Sequence, residues 1–409
     1  MSYQDPSAEA EQKLSSLSSQ YPDQSEFYST VTAFLQSKLY HQLTVAVLEF
    51  TSATANSHYS SDPASNNFLT LYQILSKLKS KLNPLMLARI ATNVSQVQNH
   101  ESKEGVSILS DLLATDEIKS APHAKLFAEA KLHLLQMTHE DIDTESTKDT
   151  YSNEEQVKKF LTENVITLKE LANSTESEVA AVHSAYYETA KELYKKIGPA
   201  EEFYKSAIQY LHYTPIEKEQ ANDPAIKLLA RDLSLAALVG KGVYNLGTVV
   251  YENASLLHAL EGTEDAYLVE LMKSAAEGDV LAVKNLESHR TQLEAQGCDI
   301  KVIQEKIMLL ALVNMVFERA SDERNMKFED IASRLEVDSL QVEWIVMKAL
   351  SLGLIKGSMD QVEGFVEITW VMPRVLDDGM MKALAERFGE WSAKVGESRA
   401  YMTEHIPAF

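Results

Sequence analysis

Between Val239 and Gly247 the chain reads VGKGVYNLG, a glycine and lysine stretch of the kind that can cradle phosphate through backbone N–H groups. A Walker loop needs a glycine five residues before the Gly-Lys pair and Ser or Thr after it, but Leu235 and Gly242 hold those positions. A dinucleotide fingerprint needs glycine where Asn245 stands, and a strand before it. The stretch is therefore expected to be a glycine-marked helix turn or a close helix contact.

The eleven histidines form neither HxH nor HExxH, the spacings that aim two imidazoles at one metal. His133 and His139 are six apart and do not share a helix face, so each histidine is read as surface or as satisfied core. No GxSxG elbow is present, and the carboxylates are spread over amphipathic helices. The single cysteine, Cys298, excludes an internal disulfide and a multi-cysteine zinc site, and no His or Asn motif accompanies it as a catalytic thiol would require. The expectation is a non-enzyme with no metal and no cofactor.

Charge narrows the partners. With 60 Asp plus Glu against 38 Lys plus Arg, the formal charge is −22, the wrong sign for attraction to phosphates. The N-terminal MSYQDPSAEAEQK is polar and lacks a secretory apolar core, and the lone cysteine suits a reducing compartment, so the cytoplasm and nucleus are expected. The apolar run Ile307 to Phe317 falls short of the roughly 20 residues needed to span a bilayer, and reads as a buried helix.

The elements that position these residues are almost all helical. From about Glu26 to Thr214, apolar residues recur at spacings of three and four between short polar or proline-marked breaks; Phe27, Val31, Phe34 and Leu35 are one example. Helix pairs without strands predict an α-solenoid. Ala185 to Pro215 is loosely similar to a tetratricopeptide unit, with helices on either side of Gly198 and Pro199. Glu140 to Glu155, with seven acidic residues and one lysine, is expected to be a solvated loop or connection.

After Met326 the period changes. Phe328, Ile331, Ala332 and Leu335 share one face of a short helix, and Asp338 with Gln341 is placed to form a capping box for a second. Val342, Val346, Ala349 and Leu350 supply the inner face of that second helix, and Gly353 its left-handed end. Two strands joined across QVEG follow, with Ile355, Met359, Val366, Ile368 and Trp370 alternating inward. Helix, turn, helix and hairpin predict a winged helix. From Lys327 to Arg374 it holds five basic and eight acidic residues, a local charge of −3, where a DNA reader makes on the order of 6 to 10 phosphate contacts. A protein-binding role is expected instead. Trp344, on the outward side with Gln341, Lys348 and Ser351, either anchors a partner or packs on a neighbouring helix. The hairpin offers a strand edge for pairing, with Lys356 and Ser358 on its first strand and Phe365, Glu367 and Thr369 on its second. Beyond Pro373, Met381, Leu384, Phe388, Trp391, Val395 and Met402 form a heptad seam interrupted by Ser398, which predicts a helical partner or folding back on the chain.

Helical repeats running into a winged helix and a last helix resemble the PCI proteins. The segments KLYHQLTVAVLEF, KLNPLMLARI, GKGVYNLGTVV, MKALSLGLIKGSMDQV and ITWVMPRVL are similar to the non-ATPase regulatory subunit 13 family of the 26S proteasome lid. The resemblance implies a mainly α chain: a flexible N-terminus (1–25), a helical-repeat solenoid (26–199), a PCI domain (200–376) with its winged helix at 326–376, and a C-terminal bundle helix (377–409). It implies a scaffold subunit for ubiquitin-dependent degradation. Its partners would be other PCI subunits of the lid, lid deubiquitinase subunits of the MPN type through the helical bundle, and, as a further candidate, a ubiquitin receptor. Membrane and nucleic acid are not expected partners. Lys327 stands where the family pattern suggests a capping Thr, a loss of about 1 kcal/mol at that helix start. The alternatives are a PCI subunit of the signalosome or of a translation initiation complex, or a nucleic-acid-binding PCI protein.

Overall fold

A computed structural model describes residues 6–20, 22–56, 65–102, 105–140, 147–171, 179–216, 223–279, 286, 288–319, 324–375 and 378–405. The chain divides into two compact units, residues 1–198 with 205–214, and residues 199–204 with 215–409.

The first unit is helical throughout its described residues. Its elements are α1 (Pro6–Gln20), α2 (Ser25–Gln36), α3 (Tyr40–Asn56), α4 (Ser65–Lys77), α5 (Pro84–Ser102), α6 (Gly105–Leu113), α7 (Asp116–Lys119), α8 (Pro122–Glu140), α9 (Thr147–Leu171) and α10 (Val179–Ile197). Most of α11 (Ala200–Tyr213) also belongs here. α3, α5, α8 and α10 are successive neighbours, and α6 and α9 pack against this row. Ala88, Ala91, Ala124, Ala128 and Ala130 are fully buried, and such small side chains let helix axes approach closely. Buried polar groups bond across the helices. The Tyr186 hydroxyl donates to the Leu161 carbonyl at 2.7 Å, and Thr189 Oγ1 donates to that of Ala130 at 2.9 Å.

Two expectations change here. Residues 6–20, placed within a flexible N-terminus, form α1 and bury Ala10, Leu14 and Leu17; their spacing of four and three is a helical stripe that the surrounding Ser, Glu and Gln obscured. In the acidic stretch, Thr147 to Glu155 belongs to α9, while 141–146 lies outside the described residues. Acidic side chains near a helix N-terminus oppose its positive end, so charge density there does not argue against helix.

The second unit contains α12 (Pro224–Val239), a short π-helical turn (Thr248–Glu252), α13 (Ala254–His258), α14 (Ala266–Glu277), α15 (Arg290–Ala295) and α16 (Ile300–Glu318). β1 (Asn325–Lys327), α17 (Phe328–Leu335), α18 (Ser339–Ser351), β2 (Ile355–Asp360), β3 (Phe365–Val371) and α19 (Asp378–His405) follow. Asp223 caps α12 and Asp299 caps α16, each carboxylate accepting a backbone N–H at 3.0 Å. The three strands form an antiparallel sheet in the order β1-β3-β2. Leu309, Leu312, Val313 and Val316 of α16 share one core with Ile331 and Leu335 of α17, Val342, Ile345 and Val346 of α18, and Val366 and Ile368 of β3. The apolar run Ile307 to Phe317 thus belongs to a core helix; among the described residues no helix is long and apolar enough to cross a membrane.

Candidate assembly surfaces

The glycine stretch meets a lysine, but not its own. Gly240 ends α12, Gly242 takes φ +107°, and Lys241 is exposed. The Lys306 ammonium from α16 is buried there, donating to the carbonyls of Ala237 at 2.5 Å and Gly240 at 2.9 Å, with its charge 5.6 Å from the centre of the Tyr244 ring. A phosphate cradle offers N–H groups to an anion; this turn offers carbonyl oxygens to a cation, so the polarity is reversed. Burial pushes Lys306 down to about 7, against the opposing charge of Glu201. Asn245 and Gly247 meet the chain leaving the sheet. Asn245 Oδ1 accepts from the Val375 N–H at 3.4 Å, and a side chain at Gly247 would press on Val375.

Cys298 is buried, and burial pushes its thiol up, away from nucleophilic use. Among the described residues no group of three His, Cys, Asp or Glu side chains is placed to hold a metal ion. The reading of every histidine as surface or satisfied core needs correction at His183. It is buried with neither ring nitrogen hydrogen-bonded among the described residues, stacked 4.6 Å from Tyr213. Burial pushes its pKa down, favouring the neutral ring.

The winged helix turns a mixed surface outward. Lys327 starts α17 with no side-chain cap; the Phe328 N–H, the first of the N–H groups the helix leaves unpaired, donates to the Gly364 carbonyl in the turn between β2 and β3 at 2.8 Å. Asp338 occupies the N-cap of α18 without a side-chain capping bond; the expected capping box does not form. Gly353 adopts φ +70°, the left-handed end read from the sequence.

Trp344 is 45% exposed and is not among the residues of the winged-helix core. Leu340, 87% exposed, and Met347 extend it into an apolar stripe at positions i, i+4 and i+7 of α18. Sequence reasoning missed these two because the helix carries apolar residues on both faces, and only the packing tells which face is inner. Lys348, the one cation of α18, lies 5.0 Å over the Trp344 ring and pairs with Glu305 of α16. The surface that a DNA reader would present to phosphates is thus apolar, its cation already paired.

On the sheet, β3 is central. Phe365 and Glu367 are paired with Lys327 and Asn325 of β1 on one side and with Asp360 and Ser358 of β2 on the other. Their backbone is therefore not a free edge, and the expected edge pairing is confined to β2, where Lys356 and Ser358 are exposed. The register jumps between Lys356 and Gly357, from Trp370 to Ile368, leaving Thr369 unmatched; its hydroxyl donates to the Lys356 carbonyl at 3.2 Å. This bulge shifts the alternation by one residue. Trp370, expected inward, consequently faces out, with Lys356 4.8 Å from its ring centre. Gly357 is required at the bulge, since a side chain there would overlap the Glu367 carbonyl.

The last helix carries an exposed apolar stripe. From Met381 to Thr403 every described side chain of α19 is exposed. That includes Met381, Leu384, Phe388 at 62%, Trp391 at 67%, Val395 and Met402. Folding back onto the chain is not what the structure shows.

This combination of helical repeats, acidic winged helix and bare heptad helix has named relatives. The family model described as PSD13 N-terminal repeats matches residues 27–272, and the PCI domain model matches residues 286–370. The chain is 30% identical over 382 residues to the 26S proteasome non-ATPase regulatory subunit 13 of Dictyostelium discoideum, covering 92% of each. The chain belongs to the 26S proteasome non-ATPase regulatory subunit 13 family. Homolog A of that subunit from Arabidopsis thaliana is 29% identical over 392 residues, 94% of this chain and 95% of the relative. Eukaryotic translation initiation factor 3 subunit M of Dictyostelium discoideum matches more weakly, 23% over 191 residues and under half of each chain.

Proposed function

We propose that the chain is a non-catalytic scaffold subunit of the proteasome lid, acting in ubiquitin-dependent degradation in the cytoplasm and nucleus. Its winged helix lies beside those of other PCI subunits through the β2 edge and the Leu340, Trp344 and Met347 stripe. Its last helix enters a bundle with other lid subunits, those of the MPN deubiquitinase type among them. The observation that carries this reading is the seam of α19. Six large apolar side chains stand exposed at heptad spacing, and burying each is worth roughly 1.5 to 3 kcal/mol, which only helical partners can supply to so narrow a stripe. The relatives' names support the choice of complex.

Tagged full-length chain recovered from cells under native conditions, cross-linked and analysed by mass spectrometry, is expected to bring down proteasome regulatory subunits, with cross-links from α19 and the wing. The double variant Phe388→Ser, Trp391→Ser is expected to fold and to lose most of that recovery. Recovery of translation initiation or signalosome subunits instead would keep the architecture and overturn the assignment to the proteasome.

A further inference from the structure

The first unit holds a cavity of about 420 Å³ whose charge is opposite to that of the chain around it. It lies among α3, α5, α8 and α10, the row of neighbouring helices, and at the end of α11. Arg89 and Lys131 line it with Asn93 and Gln96, over an apolar floor that includes Leu48 and Phe127. Among the described residues that line it, none is Asp or Glu, in a chain of formal charge −22. Lys131 is already paired with Glu188 of α10 at 2.5 Å, and that pair opposes the burial of Glu188 and holds its carboxyl below the usual range. Arg89 has no ion pair among the described residues and is half-buried. It is the guanidinium available to an incoming anion.

The arrangement on α5 selects the form of that anion. Arg89, Asn93 and Gln96 are spaced by four and three residues, so they follow one face of the helix over about 10 Å, the span of roughly three residues of extended chain. A guanidinium binds a carboxylate in a fork, and carboxamides both donate to and accept from a peptide backbone. Asn93 already uses one N–H toward Thr51 Oγ1 at 3.3 Å, which fixes the orientation of its amide. A volume of this size admits a few residues, within the range of about 300 to 1,000 Å³ usual for ligand sites.

We propose that this cavity is a docking groove for an extended acidic peptide segment of a partner protein, with Arg89 taking a carboxylate and Asn93 and Gln96 the peptide backbone. It is a surface separate from the winged helix and α19, and does not depend on the lid assignment.

The test is fluorescence anisotropy on the full-length chain with two labelled pools of octapeptides. One carries two Glu at varied positions among randomised neutral residues; the other carries Gln at the same positions. The acidic pool is expected to bind at least tenfold more tightly. Arg89→Gln should weaken that binding about tenfold, Arg89→Lys less, and Gln96→Glu, which places a carboxylate in the groove, should abolish it. Circular dichroism melts confirm that each variant is folded. Equal binding of the two pools, no binding of either, or undiminished binding by folded Arg89→Gln overturns the proposal. So does displacement of the acidic pool by millimolar inorganic phosphate with no effect of Gln96→Glu, which marks a general anion site.

Discussion

α16 and α19 are both rich in large apolar residues, and they meet opposite fates. In α16 the apolar residues surround the helix, and Leu309, Leu310, Leu312, Val313, Met315 and Val316 are all buried in the same unit. In α19 they keep to one narrow stripe between charged residues, and the whole stripe is exposed. A helix apolar on all sides needs several neighbours at once, which a domain core supplies; a two-in-seven seam needs only another helix. The distribution of apolar residues around a helix, more than their number, separates a core element from an assembly element.

The comparison can be broken first at α16. Leu312→Ala should cost about 2 to 5 kcal/mol in urea unfolding followed by circular dichroism, because the buried site cannot collapse around the missing atoms. Next is Lys306 on the same helix. Its folded pKa of about 7 lies below the unfolded value of about 10.4, so between these the unfolded chain holds a proton the folded one lacks. This contribution to stability is fully present above the unfolded value and is lost as pH falls toward 7. Lys306→Met should therefore flatten the pH dependence, removing a rise of about 1 kcal/mol per unit between roughly pH 8 and 10. A smaller effect is expected at His183, whose pKa burial lowers. The stability it contributes is present above the unfolded value of about 6.5 and is lost as pH falls below it. His183→Phe, which keeps a ring beside Tyr213, should lose less melting temperature between pH 7 and 5 than the parent chain. The smallest effect belongs to α19: Phe388→Ser with Trp391→Ser should change the stability of the isolated chain by less than about 0.5 kcal/mol. In assembly measurements the order reverses for that variant, and a large loss of isolated-chain stability from it would erase the distinction drawn between the two helices.

Much of this was legible in residue order. Spacings of three and four gave the helices, and Phe328, Ile331 and Leu335 with Val342 and Val346 gave the inner face of the winged helix. Gly353 marked a left-handed turn. What stayed hidden has physical causes. Leu340 and Met347, which join Trp344 on the outside, could not be assigned there while α18 showed apolar residues on both sides. The outward turn of Trp370 depended on one unmatched residue, Thr369, since a single bulge inverts every alternation beyond it. The partner of the glycine stretch was a lysine 66 residues from Gly240, a distance over which no local pattern carries information.

The sequence by itself determined the helical class, the acidic balance that disfavours phosphate, and the heptad spacing of the last helix, because these depend on composition and on periods within a few residues. Only the tertiary structure decided which apolar faces are spent on the core and which are left over. It also brought Lys131 of α8 to one cavity with Arg89, Asn93 and Gln96 of α5 and set β3, not β2, at the centre of the sheet. Burial is a property of the space between elements, and that space is defined only once distant segments have packed.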